Sequence, residues 1–132
     1  METITRRIEL DLSSDELWAA ITDRETLEAW LGDAVDIDIR EGGTGVVVDD
    51  GVVREITVRT VNDGRGWSFE WQVEGAPAST VNFEISEADD GRSALTITET
   101  LAAKAEGAAR AFRWDLCALL LWACTVAVAV VR

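Results

Sequence analysis

The sequence predicts an α+β fold: a curved antiparallel sheet closed over a long C-terminal helix, with two short helices after the first strand. Three observations predict it. Apolar residues alternate with polar ones over residues 3–12 and again from Val35 onward, the period of half-buried strands. Two helix-start signatures follow one another within residues 13–25. From about Ala102 the period turns helical again, in AEGAARAFRWDLCALLLWAC. The 132 residues suit one domain, 1–132, with enough chain to bury a core.

The elements follow in order. Ile4, Ile8, Leu10 and Leu12 share one face of the first strand, and Arg6 falls among them. Ser13-Ser14-Asp15-Glu16 is a capping box, so a helix should start at Ser13 and bury Leu17, Trp18 and Ile21. Thr22-Asp23-Arg24-Glu25 is a second box, opening a helix with Leu27, Trp30 and Leu31 inside and Gly32 as its stop. Each helix is too short to stand alone, so both must rest on the sheet.

From Val35 the period is two. Val35, Ile37 and Ile39 alternate with Asp36, Asp38 and Arg40, and EGGTG is a turn. VVV at 46–48 leads into Asp49-Asp50-Gly51, a hairpin signal. In VVREITVRTV, Arg54 shares a face with Val52, Ile56 and Val58. WSFEWQV puts Trp67, Phe69, Trp71 and Val73 on one face, and STVNFEIS does so with Val81, Phe83 and Ile85. In SALTITET, Glu99 shares a face with Leu95 and Ile97. Short loops between successive strands predict an antiparallel meander. The tail TVAVAVVR reads equally as helix or strand.

Composition excludes several functions. A net charge of −13 argues against nucleic acid and against an anionic membrane surface. Eleven of the twelve basic residues are arginine and Lys104 is the other, a bias that says nothing about mechanism. With no histidine, the Ser-His-Asp and Cys-His nucleophile systems and imidazole metal sites are absent. Asp36/Asp38 and Asp49/Asp50 lack calcium-loop spacing and read as solvated, and no cofactor is implied. Cys117 and Cys124 lie seven apart in an apolar segment, too far along a helix to bridge, and read as buried thiols of a reducing compartment. METITRRIELDL has no apolar leader run, so the expected location is cytoplasmic.

The sixteen uncharged residues 116–131 fall short of the roughly 20 that span a bilayer. A helix apolar all round needs a second covered side, so a homodimer through the C-terminal helix or its tail is expected.

The element order, ELWAAITDRETLEAWLG, the glycines at 42–43, WSFEW, LTITET and AFRWDLCALLLW together resemble the START/Bet-v-1-like, or SRPBCC, superfamily. More closely they resemble its branch named after the activator of the ninety-kilodalton heat-shock protein ATPase. The resemblance implies a helix-grip fold and allows three roles. The first is a non-catalytic binding protein for a small apolar or amphipathic ligand, held between the sheet and the C-terminal helix. The second is a co-chaperone-like or regulatory module with a protein partner. The third is a cyclase- or dehydratase-type enzyme using Glu99 as base; the lack of histidine and tyrosine argues against it. Trp67, Phe69, Trp71 and Phe83 on the sheet, and Phe112 and Trp114 on the terminal helix, are the candidate cavity wall. Trp18 and Trp30 would flank its mouth, and Arg6, Arg54 or Glu99 would anchor a polar head.

Overall fold

A computed structural model describes residues 2–101 together with positions 114, 117 and 120–122. Strand β1 (Glu2–Leu10) is followed by helices α1 (Ser14–Thr22) and α2 (Arg24–Trp30). Strands β2 (Ala34–Ile37), β3 (Thr44–Asp49), β4 (Val52–Asn62), β5 (Gly66–Val73), β6 (Ser79–Glu87) and β7 (Ser93–Leu101) then form the expected meander. The seven strands make one antiparallel sheet of order β1-β7-β6-β5-β4-β3-β2. The two helices carry the chain from one edge of this sheet to the other. On the way α1 packs on β6 and β7, and α2 on β2.

The helix starts are built by side chains. Ser13 Oγ accepts from the Glu16 amide at 3.1 Å, and the Glu16 carboxylate accepts from the Ser13 amide at 2.9 Å. This is the capping box the sequence predicts. The second start differs from expectation by one residue. Asp23, not Thr22, is the N-cap, and its carboxylate accepts from the Thr26 amide at 3.2 Å. The reason is local: the Thr22 hydroxyl donates to the Trp18 carbonyl at 2.8 Å, which closes the last turn of α1. Trp18 is half-buried rather than buried, while Leu17, Ala20 and Ile21 are buried. Gly32 is not a left-handed stop either. A Cβ there would meet Val47 Cγ1 at 2.7 Å and the Val48 carbonyl oxygen at 2.9 Å, so the glycine lets the chain pass close to β3.

The hairpin at Asp50-Gly51 has the predicted chemistry. Both residues have positive φ, 52° and 78°, as a two-residue turn of this type demands. Alternation then sets burial: Trp67, Phe69 and Trp71 on β5, and Val81, Phe83 and Ile85 on β6, all face the core. Ile39 lies beyond the end of β2 but packs on the same core. The long C-terminal helix expected from about Ala102 lies mostly outside the described residues, as do Phe112, Cys124 and the tail. Positions 114, 117 and 120–122 are helical; Trp114, Cys117 and Leu121 are buried, and Leu120 and Trp122 are exposed.

Candidate functional site

The inner face of β5 and β6 is an aromatic cluster. Trp67 and Phe69 lie 4.9 Å apart between ring centroids, Phe69 and Phe83 5.4 Å, and Trp30 and Phe83 5.6 Å. Two of its indoles have a structural task. The last carbonyls of a helix lack partners within it. Trp30 Nε1 donates to the Ala20 carbonyl at 3.1 Å, and Trp67 Nε1 to the Ile21 carbonyl at 2.8 Å. Both therefore seal the C-terminal end of α1 against the sheet.

Beside this cluster sits Glu99, 1 % exposed. A buried carboxylate is costly unless it accepts hydrogen bonds. Here Oε1 accepts from Trp114 Nε1 at 2.8 Å, and Oε2 from Trp71 Nε1 at 2.9 Å and from Ser79 Oγ at 2.5 Å. Trp71 Nε1 also lies 3.0 Å from Ser79 Oγ. The Trp71 and Trp114 rings stack, with centroids 5.6 Å apart and planes 20° from parallel. The Arg54 guanidinium carbon lies 5.1 Å from the centre of the Trp71 ring, in cation–π range.

The structure thus brings Trp71, Glu99 and Trp114 together, with Arg54 against Trp71 and Phe83 against Trp114. Trp30, Trp67 and Phe69 adjoin them. Trp18 stays at the margin of the core, and Arg6 is exposed. Its place on the edge strand lets the long side chain reach solvent, where it donates to the Thr5 carbonyl at 2.9 Å. Ser79 was not foreseen as a site residue. Its signal is that the alternation Val81, Phe83, Ile85 extends one step back to it.

A hollow of about 500 Å³ opens at β3, β4 and β5, bordered by Thr44, Glu55, Thr57, Glu70 and Gln72 and reaching Ile56 and Trp71. Among the described residues, no group of three or more His, Cys, Asp or Glu side chains is placed to hold a metal, and no helix is long and apolar enough to cross a membrane.

A meander sheet with two helices after its first strand, and an aromatic inner face, defines the SRPBCC type of fold. Residues 11–119 match the family described as "Activator of Hsp90 ATPase homolog 1-like protein", and the chain belongs to that family. No curated protein matches it significantly in sequence. Solved structures show the same fold. Protein MLL2253 from Mesorhizobium loti is 20% identical with a TM-score of 0.82, over 92% of this chain and 95% of that one. The Aha1 dimer from Colwellia psychrerythraea is 17% identical with a TM-score of 0.78, over 95% and 96%. CalU16 from Micromonospora echinospora is 24% identical with a TM-score of 0.76, over 90% and 73%.

Proposed function

We propose that this chain is a non-catalytic, cytoplasmic binding protein for a small apolar or amphipathic ligand, held between the sheet and the C-terminal helix. One observation carries the reading: a carboxylate 1 % exposed, set in an aromatic face and surrounded by oriented donors. Packing alone does not ask for this group, because apolar residues of similar volume are often as stable as a buried ionic network. A buried polar group on an aromatic wall is what orients a ligand. Catalysis by Glu99 is not part of the reading, since the chain has no histidine and no tyrosine to share proton transfer with it.

Native mass spectrometry of the purified protein tests it. A small molecule that co-purifies and leaves on denaturation is the expected result. An empty protein that also fails to take up apolar probes would overturn it.

The second reading is a protein-interaction module. The stacking of Trp114 on Trp71 favours it, because that contact fills the inner face where the two meet. In either reading the proposed partner includes a second copy, seated on the C-terminal positions where Leu120 and Trp122 are 40% and 48% exposed. The Colwellia relative was solved as a dimer.

A further inference from the structure

Trp114 is held as a ligand would be held. It stacks on Trp71, meets the Phe83 ring edge-on at 5.9 Å and 89°, and gives its one donor to Glu99 Oε1. The other members of this arrangement stand on three adjoining strands: Trp71 on β5, Ser79 and Phe83 on β6, and Glu99 on β7. Trp71 and Ser79 fix Oε2 and so present Oε1 from the sheet. Trp114 alone comes from the segment beyond β7.

We propose that Trp114 is a stand-in. The site made by Trp71, Ser79, Phe83 and Glu99 takes a planar aromatic ligand bearing one ring N–H or phenolic O–H. Such a ligand replaces the Trp114 ring against Trp71 and inherits its bond to Glu99. The inference rests on the ligand-binding reading above and names the ligand's class.

Three arguments support it. Oε1 without a donor would be a buried acceptor left unsatisfied, which is expensive, whereas exchanging one N–H for another keeps it satisfied. A flat wall and an edge-on ring select flat ligands, the preferred geometries of aromatic pairs. A buried carboxylate repels an anionic head group, and the chain's net charge of −13 adds to that, so the ligand is neutral or cationic.

Calorimetry and thermal unfolding with three probes test this on the full chain and on Trp114→Gly. The probes are indole, benzofuran (the same shape without the N–H) and laurate. The expected result has indole raising the melting temperature of Trp114→Gly and binding it at least about tenfold tighter than benzofuran, the usual scale for a hydrogen bond to a charged group. Indole should bind the unaltered chain more weakly than the variant, since Trp114 must be displaced. If the variant does not fold by circular dichroism, Trp114→Phe, which keeps a ring and removes the donor, takes its place, and indole against benzofuran on the unaltered chain decides. Equal binding of indole and benzofuran overturns the donor requirement. Binding of laurate but not indole overturns the ligand class and leaves the carrier reading standing. Binding of none of the three overturns the inference, and native mass spectrometry then judges the carrier reading separately.

Discussion

Glu99 is matched as an acceptor, because two of its three partners are indole N–H groups, which only donate, and the third is the Ser79 hydroxyl, which donates to it. In Glu99→Gln one oxygen becomes an NH₂. Whichever way the amide turns, that NH₂ faces either Trp114 Nε1 or the pair Trp71 Nε1 and Ser79 Oγ. A bond to a charged group is lost and a buried donor is left unsatisfied, so the expected loss of stability is about 2–4 kcal/mol. Urea unfolding measures it, and a loss under about 0.5 kcal/mol would show that the network contributes little. At the opposite extreme, Glu9 is exposed. A hydrogen bond from Arg7 Nη1 at 2.6 Å, then the Arg7 charge, hold its carboxyl below the ordinary value of 4.5. A lowered folded-state pKa contributes stability above the unfolded value and loses it as pH falls through the folded one. An NMR titration of the Glu9 carboxyl should therefore give a midpoint below 4.5, and Arg7→Ala should move it back up. Solvent screening keeps the effect on stability small.

The helix junction makes a sharper test at the scale of elements. Asp23 serves both helices: its backbone N–H donates to the Ala19 carbonyl at 2.8 Å, and its side chain caps α2. Asp23→Ala and Ser13→Ala should each cost about 1 kcal/mol, the usual worth of an N-cap. Thr22→Ala should cost clearly less, because the Thr22 hydroxyl only closes a turn of α1. A larger loss for Thr22→Ala than for Asp23→Ala in thermal unfolding would reverse the assignment. The same junction shows what the sequence could convey. Strands were legible because one face of the sheet is buried, and period two then fixes which side chains go in. The choice between Thr22 and Asp23 was not legible, since both are good caps and the tertiary setting decides. The burial of Glu99 could be read from Leu95 and Ile97 beside it. Its donors could not, because they lie 28, 20 and 15 residues away in sequence. Nor does any local pattern reveal that Trp30 and Trp67 close the end of α1.

For the whole molecule, charge decides which kind of partner fits. Each chain carries −13, so a second copy brings an equal negative charge to the interface. Self-association through Leu120 and Trp122 would gain from burying apolar surface and lose to this repulsion. Added salt shortens the Debye length from roughly 20 Å at about 0.02 M to about 4 Å at about 0.5 M, which weakens the repulsion and leaves the apolar contact intact. A homodimer should therefore tighten as salt rises, and Trp122→Glu should weaken it at every salt concentration. A basic protein partner would behave in the opposite way, because its attraction is what salt screens. The sign of the salt dependence thus separates a second copy from a regulatory target. Light scattering at micromolar concentration across this range reads it directly. A dimer fraction that falls with salt would sink self-association through Leu120 and Trp122, since it would mean that ion pairs, and not apolar burial, hold the two copies together.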